Sequence, residues 1–259
     1  MSQKTAVILA NVGTPDEPTV GAVRRYLFQF LNDRRVIDLP WLLQKFLVNV
    51  IIVPFRAPKS TKLYQMLWTE KGSPLMYISN ESRDKLQKAL GENYEVFVGM
   101  RYQNPSLKAV LKTIKEKRFD KIVVLPMFPQ YASSTTGTIS QLVNNEIAKW
   151  NVIPELTIIS QFYQNSGFVQ SFASQIRKYE PEKYDHIIFR TTDYHLAKPT
   201  GCIPELKPPN VPARKECPNM AVFVTKQHVT KRPVCWQKNL DCQNRFIQLH
   251  FNRGLQKNG

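Results

Sequence analysis

Residues 5–15, TAVILANVGTP, decide the fold of this chain. Residues 5–10 form a short, wholly apolar run rich in β-branched side chains, which predicts a buried parallel strand. Residues 11–15 follow at once with Asn, Gly and Pro, and they predict a loop at the carboxyl end of that strand. Ligands of open α/β sheets bind at such strand ends, so this loop is the first candidate for a binding site.

Strand-like and helix-like segments alternate along the following 170 or so residues. Apolar positions at helical spacing predict helices at 20–32, 81–89, 106–117, 138–149 and 167–179. Short apolar runs predict strands at 94–100, 121–126, 156–160 and 185–189. This alternation is typical of a parallel sheet with helices on both faces, so we predict an α/β fold.

Length and composition exclude several classes of protein. The 259 residues suffice for one large domain or two ordinary ones. An apolar fraction of 42% and a charged fraction of 22% exclude collagen-like, low-complexity and wholly disordered chains. The net charge of +16 favours partners that are polyanions, anionic lipid head groups or a small substrate with carboxylates.

The composition changes abruptly after Phe189. Residues 190–259 contain all four cysteines, three of the four histidines and 12 Lys and Arg against 4 Asp and Glu. The cysteine spacing lacks a Cys-x-x-Cys pair, which disfavours a zinc module, and a disulfide framework is not expected in a cytosolic chain. We therefore predict a boundary at Phe189.

Two segments of the sequence indicate where in the cell the protein is located. The first residues lead into an apolar run too short for the hydrophobic core of a signal peptide, which predicts a cytoplasmic protein. Residues 39–55, LPWLLQKFLVNVIIVPF, are mostly apolar but too short and interrupted to cross a membrane. We expect this segment to pack into the core, and the alternative is an exposed apolar lip that faces an apolar ligand or a lipid surface.

Two further loops combine a turn with residues suited to chemistry. Residues 72–75, GSPL, follow Arg56 and Tyr64 along the chain. Residues 126–137, PMFPQYASSTTG, place a run of hydroxyls before a predicted helix, which indicates either an anion site or a simple helix cap. The chain lacks the glycine patterns of triphosphate and dinucleotide sites in these loops, so nucleotide enzymes are disfavoured.

Five segments in a fixed order resemble ferrochelatase, the enzyme that inserts ferrous iron into a porphyrin during haem synthesis. They are NVGTP at 11–15, VRRYLFQFLNDRRVIDLP at 23–40, RAPKSTKLYQMLWTEKGSPL at 56–75, MRYQNPS at 100–106 and LPMFPQYASSTTG at 125–137. The resemblance covers residues 5–189. It implies a chelatase-like α/β fold of two Rossmann-like half-domains with parallel sheets, the second of them incomplete in this chain.

The resemblance also implies a division of the chain. Residues 1–160 would form the first half-domain with the porphyrin-binding loops, and residues 161–189 would start the second. Residues 190–259 would be a tail foreign to the family and poorly ordered.

The same resemblance implies which residues contact the substrate. Arg56, Tyr64 and Ser73 match positions that contact the porphyrin and its carboxylates in the family. Val12 matches a position that lines the porphyrin face, and Tyr131 lies in the family's second strand-end loop. An arginine, a phenol and a hydroxyl suit a flat apolar ring that bears propionates.

The implied ligands are a porphyrin, either protoporphyrin IX or coproporphyrin III, and ferrous iron as a substrate. No permanently bound cofactor is implied, the cysteines do not match an iron–sulfur site, and no nucleic-acid partner is expected. Peripheral membrane contact is an open expectation. The alternatives are another tetrapyrrole chelatase, for cobalt or nickel, and a non-enzymatic protein that binds anions through its basic tail.

The resemblance ends at a position that matters for catalysis. After the strand predicted at 185–189, family members carry a loop reading Ser-Phe/Tyr-His-Gly/Ser-Leu-Pro, whose histidine takes part in metal insertion. In this chain residues 189–195 read FRTTDYH instead. Loss of one base from codons for Phe-Ser-Tyr-His-Gly-Leu-Pro yields this heptapeptide. Codons for residues 250–258 read one base earlier permit Phe-Gln-Ser-Arg, a segment that family members also carry. We therefore expect a change of reading frame immediately after Phe189 and an inactive product, and we assign no catalytic residue.

Overall fold

A computed structural model of the chain describes residues 4–184, 186–193, 222–225 and 245–252, with side chains for residues 4–184. The chain divides into two compact units, Met1–Phe162 and Tyr163–Gly259. The predicted poor order of the basic tail falls largely outside the described residues.

The first unit is built on four parallel strands. They are β1 (Thr5–Asn11), β2 (Tyr94–Met100), β3 (Lys121–Pro126) and β4 (Glu155–Ile158), in the order β2-β1-β3-β4. In the middle of the sheet Ile8 pairs with Phe97 on one side and with Val124 on the other. This sheet confirms the predicted α/β fold, and it brings the carboxyl ends of all four strands to one edge.

Helices connect these strands. They are α1 (Val20–Leu31), α2 (Trp41–Phe46), α3 (Val53–Leu67), α4 (Pro74–Leu90), α5 (Leu107–Lys117) and α6 (Thr138–Ile147), with π-helical turns at Leu47–Ile52 and Ser133–Gly137. The predicted start of α4 at residue 81 was too late, because Pro74 already fits the first position of a helix.

Strand β1 contributes to the core on both faces of the sheet. Ala6, Ile8 and Ala10 are buried in one apolar cluster with residues of α5 and α6. The alternate residues Val7 and Leu9 are buried in another cluster, against which side chains of α4 pack. Successive side chains of a strand point to opposite faces, so the unbroken apolar run of β1 follows from helices that cover both of them.

Among its described residues, the second unit contains helix α7 (Ser166–Arg177), a 3-10 turn at Pro181–Lys183 and three strands. The strands are β5 (His186–Asp193), β6 (Val222–Thr225) and β7 (Arg245–Asn252) in the order β6-β5-β7, and both pairings are antiparallel. This differs from the parallel sheet expected of a second half-domain. Parallel neighbours need a long crossover, usually helical, and the sequence after residue 189 has no helical pattern to supply one.

The apolar segment 39–55 is mostly exposed or half-buried, so the expectation of core packing was wrong for most of its side chains. Only Gln44, Val48 and Val53 are buried there. The exposed members, which together with three residues of α3 we name the apolar patch, are Trp41, Leu42, Leu43, Phe46, Val50, Ile51, Phe55, Leu63, Met66 and Leu67, at 43–82% exposure. None of the helices that the structure describes has the length and apolarity needed to cross a membrane.

Candidate active site at the strand-end loops

The loops that follow β1 and β2 lie side by side at the carboxyl edge of the first sheet. The backbone N–H of Arg101 donates to the carbonyl of Asn11 at 2.8 Å, and that of Tyr102 donates to the carbonyl of Val12 at 2.9 Å. The ladder of hydrogen bonds therefore continues beyond the strands, and it fixes both loops relative to the sheet.

Gly13 makes this close approach possible. Its φ is +104°, and a Cβ built on it would lie 2.0 Å from the carbonyl oxygen of Tyr102. Only glycine avoids both the strained backbone and the collision. The first loop is thereby held against the second.

Three of the predicted porphyrin contacts lie around one aromatic cluster. Val12 and Tyr64 pack against a buried cluster that includes Tyr26 and Tyr102, and the ring of Tyr26 meets that of Tyr64 edge-on at 6.2 Å. Burial raises the pKa of the Tyr64 phenol, although a hydrogen bond with Tyr26 and the positive charge of Arg56 oppose this rise. The structure therefore places Val12 and Tyr64 on one cluster, with Arg56 near enough to Tyr64 for its charge to affect the phenol pKa.

Helix α3 presents Tyr64 through a regular buried stripe. Val53, Ala57 and Thr61 recur at every fourth position and are buried, and Tyr64 follows on the same face. The hydroxyl of Thr61 donates back to the carbonyl of Ala57 at 2.7 Å. Arg56 stands at the edge of this stripe and is exposed, so its guanidinium is available to a ligand.

Ser73 joins the group through the first loop. It lies directly before α4 as the capping residue, but its side chain accepts no hydrogen bond from the helix. Its hydroxyl instead donates to the hydroxyl of Thr14 at 3.0 Å, and both residues are buried, with 7% and 5% exposure. Ser73 therefore lies next to the loop that carries Val12.

Tyr131 is not linked directly to these four residues by a polar or ring contact. Its ring is exposed, and its hydroxyl lies 2.9 Å from where a Cβ would stand on Gly137. Within residues 4–184 no hydrogen bond, ion pair or ring contact joins Tyr131 to Val12, Tyr64 or Ser73.

The hydroxyl-rich part of the third loop is a buried turn. Ser134, Thr135 and Thr136 are all buried, at 8%, 6% and 0% exposure. The turn leads directly into α6 without a side-chain cap. Arg35 braces it by donating to the hydroxyl of Ser133 at 3.2 Å.

A half-buried carboxylate that the sequence analysis missed connects the loops. Oδ2 of Asp33 accepts hydrogen bonds from Nη2 of Arg101 at 2.7 Å, from the hydroxyl of Tyr102 at 2.8 Å and from that of Thr138 at 2.6 Å. Oδ1 accepts from the backbone N–H of Arg35 at 2.8 Å. We name these five residues the Asp33 network.

The Asp33 network shifts two pKa values. Burial alone would raise the pKa of Asp33, but the bonds from Thr138, Arg35 and Tyr102 and the charge of Arg101 together hold it below its ordinary value. Burial and the negative charge of Asp33 raise the pKa of Tyr102. Asp33 is therefore ionised and saturated with donors at neutral pH, which makes it a poor proton acceptor.

The stretch that carries the strand-end loops lacks imidazole and thiol side chains, two common metal ligands and bases. Residues 4–184 contain no histidine and no cysteine. The residues that the structure describes hold no group of three or more His, Cys, Asp or Glu that could bind a metal ion. What the strand-end loops offer instead is an apolar, aromatic surface beside a cation and a hydroxyl.

Comparison with known proteins gives one consistent family. The sequence model described as Ferrochelatase matches residues 4–194. A ferrochelatase of Coxiella burnetii (strain Dugway 5J108-111) is 38% identical over 205 residues, which make up 78% of this chain and 56% of that protein. A ferrochelatase of Legionella pneumophila (strain Corby) is 40% identical over 202 residues, or 77% of this chain and 60% of that protein.

This chain therefore spans about 56–60% of the length of the curated relatives it matches. The family match includes β1 to β4 and every strand-end loop described above. On these grounds the chain belongs to the ferrochelatase family.

Proposed function

We propose that this chain derives from a ferrochelatase, which inserts ferrous iron into a porphyrin to give haem, and that residues 1–160 supply its porphyrin-binding half-domain. The grouping of Val12, Arg56, Tyr64 and Ser73 around adjoining loops carries the proposal. A porphyrin is a flat apolar ring with carboxylates at its rim, and these four residues match both parts of it.

Each residue has a distinct part in binding. Val12 and Tyr64 offer apolar surface to the ring, and the raised pKa of Tyr64 keeps its phenol neutral. The exposed guanidinium of Arg56 can form charge-assisted bonds with a propionate. Ser73 stands at the amino end of the 17-residue helix α4, whose dipole favours a second carboxylate. We add the exposed ring of Tyr131 as a fifth contact.

Metal insertion needs more than this part of the chain contains. Two pyrrole protons must leave as iron enters, which calls for a base such as a neutral imidazole. Residues 4–184 offer no histidine, and Asp33 is saturated with donors. We therefore propose that the chain as written binds porphyrin without completing metalation. Ferrous iron is the second substrate of this reaction and not a resident cofactor.

A change of reading frame after Phe189 accounts for the missing base. The family match ends at residue 194, and the relatives continue well beyond the length matched here. We propose that residues 161–189 begin the second half-domain and that residues 190–259 are read in a shifted frame.

The first experiment measures porphyrin binding and metalation separately. The purified full chain is titrated with protoporphyrin IX and coproporphyrin III by fluorescence, and turnover is assayed with ferrous iron, cobalt and nickel. We expect binding of a porphyrin, weakened about tenfold in Arg56→Ala because one charge-assisted bond is lost, and no turnover. Lys62→Ala on the same helix is the matched control. Absence of binding to both porphyrins would refute the proposal.

The second experiment tests the frame change. The gene is sequenced across codons 187–192, and a version with the frame restored is assayed beside the chain as written. We expect restoration of turnover with ferrous iron. A frame-restored protein without the histidine loop, or one that stays inactive while it binds porphyrin, would contradict the idea.

The apolar patch supports peripheral contact with a membrane at the cytoplasmic face. Lys59 and Lys62 lie among its exposed side chains on α3, and residues 39–69 contain no acidic residue. Apolar side chains interleaved with cations favour the surface of anionic bilayers. We expect the chain to float with phosphatidylserine vesicles, less so in Met66→Glu, whereas Ile153→Glu outside the patch serves as control. Equal flotation of both variants would refute this assignment.

A further inference from the structure

The pair of hydroxyls on Thr14 and Ser73 can act as one donor unit. We infer that Thr14 is a positioning residue of the carboxylate site, whose hydroxyl supports that of Ser73 as it donates to a porphyrin propionate. This inference rests on the proposed function and names a residue that acts on the substrate through Ser73.

The geometry allows the pair to reverse its direction without moving its heavy atoms. Each hydroxyl has one proton to donate and two lone pairs to accept with, and the two oxygens lie 3.0 Å apart. With Ser73 as donor, no proton of the pair is directed outward from Ser73. Once Thr14 donates to Ser73, the proton of Ser73 becomes available to an incoming carboxylate.

The surroundings favour this reversal when an anion arrives. Both side chains are buried, so few water molecules compete for the pair. In such surroundings a hydroxyl that accepts a hydrogen bond becomes a better donor. The side chain of Ser73 makes no capping bond to α4, so neither its proton nor its lone pairs are committed to the helix.

The first loop also fixes the position of Thr14. The neighbouring Gly13 lies so close to the carbonyl of Tyr102 that no Cβ fits between them. Thr14 is therefore anchored by the sheet edge, whereas Ser73 belongs to another segment 59 residues along the chain. A rigid partner keeps the Ser73 hydroxyl oriented and lowers the entropy lost when it binds a carboxylate.

The experiment compares a porphyrin with and without free carboxylates. Protoporphyrin IX and its dimethyl ester are titrated into the full chain in detergent, for wild type, Thr14→Val and Thr14→Ser. Valine has nearly the shape of threonine but no hydroxyl. We expect Thr14→Val to bind the free acid about tenfold more weakly and the ester within twofold of wild type, and Thr14→Ser to restore the affinity.

Coupling to Ser73 gives a second readout. Because Thr14 acts through Ser73, adding Thr14→Val to Ser73→Ala should weaken binding of the free acid no further than Ser73→Ala alone. Unchanged affinity of Thr14→Val for the free acid overturns the inference. Equal loss for acid and ester, or misfolding of both Thr14→Val and Thr14→Ala by circular dichroism, also overturns it, because the pair would then be structural. If wild type binds neither porphyrin, the proposed function fails as well.

Discussion

Replacement of Asp33 by asparagine tests whether the Asp33 network holds the strand-end loops together. An amide is nearly the same size as a carboxylate, so this change removes charge and one acceptor without leaving a cavity. In the best arrangement the amide oxygen faces Arg101, Tyr102 and Thr138, and the NH₂ group then meets the backbone N–H of Arg35. Two donors would face each other there.

The expected loss follows from these contacts. Three hydrogen bonds change from charged to neutral acceptors, at about 1 kcal/mol each, and one bond is lost, at about 1 kcal/mol. The side chain of Arg101 keeps 24% exposure, so water partly replaces its lost counter-charge. We therefore expect Asp33→Asn to lower the free energy of unfolding by about 3 kcal/mol.

Urea denaturation followed by tryptophan fluorescence measures this loss, because Trp41, Trp68 and Trp150 all lie in the first unit. With a slope of about 3 kcal/mol per molar urea, the midpoint should fall by about 1 M. Asp38→Asn is the matched control, because Asp38 is exposed and has no hydrogen bond or ion pair among residues 4–184.

The control should change stability by less than about 0.5 kcal/mol. A loss below about 1 kcal/mol in Asp33→Asn, or one equal to that of Asp38→Asn, would refute the role given to this carboxylate.

Three further predictions concern pH and backbone strain. The folded state lowers the pKa of Asp33, so the ionised carboxylate stabilises the folded protein above pH 3.8. This stabilisation is lost as pH falls through the lower pKa of the folded state, and acid titrations of Asp33→Asn should lack this loss. The raised pKa of Tyr102 acts at alkaline pH, so stability should decline as pH rises above 10. Tyr102→Phe should reduce that decline, and the part due to the raised pKa of Tyr64 should remain. Gly13→Ala should lower the free energy of unfolding, measured by urea denaturation, by at least about 4 kcal/mol. Gly91→Ala, where φ is +77° and the space around the added Cβ is open, should lower it by about 1 kcal/mol. Equal losses in the two variants would contradict the steric argument.

Local patterns sufficed to predict the central sheet. Strands β2 and β3 have the predicted bounds, and β1 differs by a single residue, because each is a compact apolar run between polar loops. The same reasoning failed for residues 39–55, where the apolar run that forms α2, the π-helical turn and the start of α3 contained no sign of which side would be buried. Helix α4 was predicted too short because its first turn lacks the apolar periodicity of the rest, although Pro74 was a usable signal.

The candidate site was only partly predictable. The resemblance named Val12, Arg56, Tyr64 and Ser73, which lie on or beside adjoining loops, and Tyr131, which has no hydrogen bond, ion pair or ring contact with them among residues 4–184. Their roles in binding porphyrin stay predictions.

The role of Asp33 could not be predicted from the sequence, for a physical reason. Its side-chain partners are 68 to 105 residues away along the chain, so no local pattern connects them. The same holds for Thr14, whose partner is 59 residues away.

The long sequence separations in the Asp33 network also decide when the site can assemble during synthesis. Thr138 leaves the ribosome 105 residues after Asp33, which at ordinary elongation rates is a delay of roughly 5–20 s. Throughout that interval the nascent chain carries a carboxylate whose set of partners is incomplete, so the candidate binding surface is among the last parts of the first unit to mature. A ribosome that stalls before Thr138 would release a product whose loops are not yet joined.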